Sequence, residues 1–195
     1  MMNLAQAFRC MILSLILASV PMLGGCANVG SWKEEVKLLD GRVINITQKR
    51  RYDNVFTGSN YGALPREYWL IFKLPEFGNQ EITWHENLLP QVLNVYQGKL
   101  YVVGLPFTKV EFKQYGRPNP SHIGYRYEAG QWLRIPFNEI PVEIYDTNLF
   151  ISNEPPNGAK FVTFAMKAGE MGDYSFGGFY KRIDPKHVFP MALGE

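Results

Sequence analysis

Beyond its first 26 residues the chain nowhere sustains, over ten or more positions, the 3.6-residue apolar spacing that a stable amphipathic helix requires. Short runs of β-branched and aromatic residues stand there instead, each closed off by turn formers. Thirteen prolines and eighteen glycines, about a sixth of the 195 residues, supply those turns. The fold that follows is all-β and antiparallel: a meander or sandwich, or propeller-blade-like sheets, built from hairpins.

The clearest hairpin is Val36-Lys37-Leu38-Leu39, then Asp40-Gly41, then residues 42–47. Asp-Gly supplies the positive φ angles of a two-residue type I′ turn, and β-branched residues crowd the returning strand. Residues 53–65, rich in Gly, Asn and Pro, read as a long loop. Tyr68-Trp69-Leu70-Ile71-Phe72-Lys73-Leu74 is apolar almost throughout, which predicts a central strand covered on both faces and ended by Pro75. Residues 80–84 form another short strand. Residues 91–96 and 99–104 flank Gln97-Gly98 as a second hairpin, and residues 123–127 and 132–135 flank a turn at 128–131 as a third. The alternation over residues 110–115 predicts a strand ahead of the rigid turn Gly116-Arg117-Pro118-Asn119-Pro120. Further strands are expected at residues 142–145, 149–152, 161–166 and 179–183.

A different kind of segment precedes these. Residues 11–20 are apolar, follow Arg9, and lead through Pro21 to Leu23-Gly24-Gly25-Cys26. The run is shorter than the ~20 residues a membrane-spanning helix needs. Its positive flank and the small residues before a cysteine give it the form of a secretory signal. Here the chain resembles bacterial lipoproteins with a type II (lipobox) signal peptide, with Leu23, Gly24 and Gly25 in the recognition positions. The resemblance implies cleavage before Cys26, a diacylglycerol thioether on its sulfur and an acylated amine. Several acyl chains, at ~0.8 kcal/mol per buried methylene, hold a protein on a membrane essentially permanently. Ala27 stands after the cysteine rather than Asp, which in Gram-negative lipoproteins implies an outer-membrane lipid anchor with the domain facing the periplasm. The expected organisation is a cleaved signal helix over residues 1–25, the acylated cysteine and a short tether over 26–31, and a single all-β domain over 32–195.

Two further likenesses concern that domain. Lys99-Leu100-Tyr101-Val102-Val103-Gly104, followed by Tyr125-Arg126-Tyr127 and Trp132, resembles one blade of a kelch-type β-propeller, although Leu105 replaces the second glycine. This implies a blade-like meander and no particular activity. As a whole the domain is similar to uncharacterised proteobacterial lipoproteins, from which no activity carries over.

Charge and cysteine content narrow the chemistry. Arg9 is the one charged residue of the signal, so of 20 basic and 18 acidic residues, 19 and 18 remain in the domain. That balance argues against a nucleic-acid partner, which demands a concentrated basic surface. Cys10 leaves with the signal and Cys26 is taken by lipid, so no disulfide, thiol nucleophile, cysteine zinc site or iron–sulfur site is expected.

Individual candidates for chemistry are few. His85 and Glu86 are adjacent, and adjacent residues on a strand point to opposite faces, so they do not converge. His122 and His187 are far apart in sequence and no paired-ligand spacing occurs, so neither a metal site nor a cofactor is expected. Ser175, in Asp173-Tyr174-Ser175-Phe176-Gly177, lacks the first glycine and the α/β setting of a nucleophile elbow, and reads as part of a loop. Lys49-Arg50-Arg51 is the one dense basic cluster, expected as a solvated strand end that discourages edge pairing.

The reading of function is a non-catalytic binding or assembly-accessory domain held at the envelope by its lipid, with an envelope protein as partner. A second reading is a glycan- or peptidoglycan-binding module in which Tyr101, Tyr125, Tyr127 and Trp132 form a platform for sugar rings. A third is a hydrolase whose two carboxylates meet only in the folded chain.

Overall fold

The computed structural model describes residues 28–57, 60–152, 154–167 and 181–188. Their order is β1 (Asn28–Lys37), β2 (Val43–Thr57), β3 (Asn60–Lys73), β4 (Glu81–Glu86), β5 (Leu89–Tyr96), β6 (Lys99–Leu105), α1 (Lys109–Gln114), β7 (Ile123–Glu128), β8 (Gln131–Ile135) and β9 (Phe161–Val162). They form a five-stranded sheet, β4-β3-β2-β1-β9, and a four-stranded meander, β5-β6-β7-β8. All ladders are antiparallel except the two-residue pairing of β9 with β1. The all-β expectation and all three hairpins hold. Among the described residues no helix is long and apolar enough to cross a membrane.

One face of each sheet builds a shared core. Val36, Ile46, Tyr68, Leu70 and Phe72 of the first sheet meet Leu93, Leu100, Val102, Ile123 and Tyr125 of the second. Trp84, fully buried, stands edge-on to Tyr125 at 5.9 Å. Alternate residues of the meander, Val92, Tyr101 and Val103, face the other way, against Ile135, Ile140, Ile144 and Ile183. Strands β5 and β6 of the meander are therefore buried on both faces, whereas β3 is not: Tyr68, Leu70 and Phe72 are buried while Trp69 and Ile71 are only half-buried and Lys73 is exposed. Its apolar run reflects an outer face that tolerates aromatic and branched residues.

Several local expectations fail for identifiable reasons. Residues 28–31, read as tether, belong to β1 and pair with residues 49–52. Residues 53–65, read as loop, lie in the long β2–β3 hairpin, with a register shift between Arg51 and Tyr52. Residues 109–114 are helical because Thr108 and Glu111 form a capping box and Gly116, at φ 83, follows the helix end. Residues 142–145 make a 3₁₀ turn behind Pro141. Of residues 161–166 only Phe161–Val162 is strand, and the chain turns helical from Phe164. Of the strand expected at 179–183 an isolated bridge, Asp146 to Arg182, is seen, and the positions before 181 lie outside the described residues.

Residues 149–152 also fail to form a strand, and there the cause is a set of inward polar side chains. Glu34, Gln48 and Arg50 project from β1 and β2 into the interior and are fully buried. Arg50 donates to the carbonyls of Phe150, at 2.8 Å, and Ser152, and through Nε to Gln48 at 2.9 Å. The Phe150 amide donates to the Glu34 carboxylate at 3.3 Å. Side chains thus satisfy the backbone groups that a neighbouring strand would otherwise satisfy. The guanidinium also lies over the rings of Trp32 and Tyr68, at 4.8 and 5.3 Å. Burial raises the Glu34 pKa, opposed first by the charge of Lys167 and then by the Phe150 amide, and burial lowers that of Arg50.

Arg50→Ala should destabilise the protein by roughly 3–5 kcal/mol in urea denaturation, because it leaves a cavity against Trp32 and Tyr68 and removes the buried donor to the Ser152 and Phe150 carbonyls. At Gly124 an added Cβ would stand 2.6 Å from Ile140 Cγ1 and 3.1 Å from Ile135 Cγ1. Gly124→Ala should accordingly lower stability by about 1–3 kcal/mol, read as a lower denaturation midpoint.

Candidate functional site

The residues singled out in the sequence separate in the fold. Leu23, Gly24, Gly25, Cys26 and Ser175 lie outside the described residues. Tyr101 faces the second core, on the opposite side of the meander from Tyr125, and both are buried. Tyr127 and Trp132 do adjoin, with ring centroids 5.0 Å apart, and are half-buried; Trp132 Nε1 donates to the Thr83 carbonyl at 2.9 Å. The four aromatics therefore share no single exposed face. His85 and Glu86 diverge as expected. His85 stacks on Trp69 at 4.3 Å with Nε2 at 3.0 Å from Glu67 Oε2, while Glu86 accepts the Tyr115 hydroxyl at 2.6 Å. In the basic cluster only Lys49 is exposed: Arg50 is interior and Arg51 is ion-paired with Asp53 and with Glu67 at 2.6 Å.

The structure instead brings together two histidines that sequence distance seemed to keep apart. After α1 the chain turns through Gly116 and Arg117, both at positive φ, and a cis Asn119–Pro120 bond, delivering Ser121 and His122 to the start of β7. From the other direction the turn at 184–187 docks through a hydrogen bond from the Ser121 amide to the His187 carbonyl, 2.9 Å. The His122 and His187 rings stand edge to face at 5.7 Å. His122 is 2% exposed, and among the described residues neither of its ring nitrogens has a hydrogen-bond partner. Burial first, and the neighbouring His187 second, push its pKa down to about 4, against a smaller opposing pull from Asp184. At neutral pH it is a neutral imidazole.

Beside it opens a cleft of about 430 Å³, bounded by Pro118, Pro120, His122, Arg134 and Phe137. Arg134 is exposed at its rim, donates to the Tyr115 carbonyl at 3.2 Å, and lies over the Tyr115 ring at 5.9 Å. Among the described residues no carboxylate is ion-paired with it. The combination of a guanidinium without an ion-pair partner among the described residues, a proline-walled pocket and an aromatic ring suits an anionic or carboxylate-bearing group with an apolar body. A second concavity, about 400 Å³, is lined by residues including Lys37, Asn94, Thr147, Asn148 and Lys167. Its Lys167 is 2% exposed, donates to the Asn148 carbonyl at 2.6 Å, and has a pKa lowered by burial. Two imidazoles alone are too few for a structural metal site, and no group of three or more candidate ligands occurs among the described residues. No family model, curated protein or solved structure matches the chain.

The Pro-rich turn at 116–120 was legible as rigid, but nothing in the sequence marks it as the wall of a cleft or as the neighbour of residue 187. The pairing gives the fold a pH dependence with a definite sign. His122 takes up a proton more readily in the unfolded chain, with its ordinary value of 6.5, than in the fold, at about 4. Its contribution is present above about pH 6.5 and is lost as pH falls towards 4, a change of about 3 kcal/mol. Urea denaturation of wild type and His122→Gln should show the stability difference between them shrinking by that amount between pH 7 and pH 4.

Proposed function

We propose that this chain is a lipoprotein of the bacterial outer membrane, made with a signal peptide, acylated on Cys26, palmitate among its acyl chains, and carrying a β domain that binds a partner in the periplasm. The observation that carries this reading is the sequence Leu23-Gly24-Gly25-Cys26 behind a short apolar run and a single positive charge. Strand β1 supports it, because it already includes Asn28, two positions after the lipid-bearing residue, so the domain works close to the bilayer. The Arg134 cleft is the recognition surface in this reading, taking an acidic side chain or chain end of an envelope protein. Cys26→Ser removes the anchor.

Cells fed an alkyne-bearing palmitate analogue should incorporate it into the wild-type protein, which should sediment with outer membranes. Cys26→Ser should take up no label and leave the membrane fraction. An unlabelled wild-type protein would remove the proposal. In-cell crosslinking with Arg134→Ala should then show loss of the partner captured by the wild type while acylation is unchanged.

A further inference from the structure

The two longest strands continue beyond the sheet that contains them. On one side, the ladder of β1 with β2 runs from Lys37↔Val43 to Asn28↔Tyr52. On the other, the ladder of β4 with β3 runs from Glu81↔Lys73 to Glu86↔Tyr68. Past these limits, among the described residues, β2 and β3 pair with each other alone, through five further pairs from Asp53↔Leu64 to Thr57↔Asn60. The result is a two-stranded arm, residues 53–57 and 60–64.

Its direction is fixed by the antiparallel pairing. β1 runs away from Cys26, so β2 runs back towards it and then past it. Five positions at about 3.3 Å each carry the arm about 17 Å beyond the level of Asn28. The two Cα–Cα steps from Asn28 back to Cys26 reach at most about 7 Å. The arm therefore extends some 10 Å farther in that direction than the lipid-bearing residue can.

We propose that this arm lies in the polar–apolar boundary of the bilayer that holds the Cys26 lipid, as a second contact of the domain with the membrane. The proposal rests on the reading of Cys26 as acylated. Given that anchor, the domain can approach the membrane end-on only by placing the arm in the interface, and can tilt only by laying it along the surface.

The composition of the arm fits that location. Residues 54–65 carry no charge, and Phe56 and Tyr61 occupy directly paired positions. Aromatic residues concentrate at membrane interfaces. Asn54, Gly62 and Ala63 are exposed, so the arm is not covered by the rest of the domain there. At its root the polarity changes abruptly. Arg51 pairs with Glu67 at 2.6 Å, and Arg66 pairs with Asp53 at 3.2 Å and with Glu111 at 2.9 Å. This charged collar belongs in water and limits how deeply the arm enters. The outer edges of a two-stranded ribbon also carry backbone groups without ladder partners, which excludes the hydrocarbon core and leaves the hydrated headgroup region.

The test uses the full chain, purified as the lipoprotein and reconstituted into vesicles of phosphatidylethanolamine and phosphatidylglycerol. Cys10 departs with the signal and Cys26 is blocked by lipid, so Thr57→Cys introduces the one free thiol, which carries a polarity-sensitive dye. Val43→Cys, at the opposite end of β2, is the reference. The expected result is that both proteins float with the vesicles, and that only the dye at 57 shifts to the blue and is quenched by nitroxide-labelled lipid. Ala63→Cys on the partner strand should repeat it, should Thr57→Cys fail to fold. Floating protein with a dye at 57 as water-exposed as the dye at 43 overturns the arm and leaves the anchor standing. A blue shift that grows with protein density and is insensitive to the nitroxide identifies pairing with a second copy and also overturns it. Protein that does not float overturns the anchor and the arm together.

Discussion

Much of this fold depends on where one guanidinium is placed. Arg50 sits on the inward face of β2, fully buried, between a core of hydrophobic side chains and a stretch of backbone, residues 150–152, that has no strand beside it. A charge in that position is tolerated because its donors are used: two carbonyls, a glutamine oxygen and two aromatic faces receive it. Glu34 completes the arrangement by accepting from the amide of Phe150, the residue whose carbonyl accepts from Arg50. Hydrophobic residues at these positions would pack, but would leave the backbone of residues 150–152 unsatisfied. The first sheet therefore uses charge where the second uses a neighbouring strand.

This substitution of side chain for strand recurs. Asn148 accepts the Leu93 amide at 3.0 Å and donates to the Leu93 carbonyl at 2.8 Å, closing the edge of β5 as a strand would. Asn94 accepts the amide of Leu39 at 2.9 Å, from the first sheet's hairpin. Side chains on the inward face of the first sheet and an amide at the edge of β5 thus pair backbone drawn from distant sequence, and residues 148–152 stay irregular while their backbone remains paired. The irregular chain ahead of them covers the outer face of the meander, through Ile140 and Ile144.

Alternation carried the three hairpins from sequence to structure, and Gln97-Gly98 turns with both residues at positive φ. At Asp40-Gly41 only the glycine is at positive φ, and the loop closes between Leu38 and Arg42, one residue longer than the two-residue turn expected. What was not legible follows from the same physics. Residues 110–115 alternate like a strand, but the capping box at Thr108 and Glu111 outweighs six residues of pattern. Lys49-Arg50-Arg51 looks like a solvated run, yet strand alternation sends its middle member inward and its flanks outward. The β2–β3 arm is rich in glycine and asparagine, so propensity argued for a loop, while pairing across the hairpin imposed a ladder. The His122–His187 contact joins positions with no local signal at all, and the cleft beside it could be found only in three dimensions.

The length of chain between Arg50 and its carbonyl partners has a consequence for the order of folding. Glu34, Gln48 and Arg50 are synthesised early, and the backbone they bind at Phe150 comes about a hundred residues later. Until that segment arrives, closing the first sheet would strand an ion pair's worth of charge against apolar side chains. Loop closure over such a separation is slow, and the intermediate gains little from collapsing early. The meander pairs its strands successively, and needs later chain only to close the edge of β5 and to cover its outer face. The chain thus carries an early part whose interior waits for distant backbone and a middle part whose ladders need not, an asymmetry in time that the finished molecule does not display.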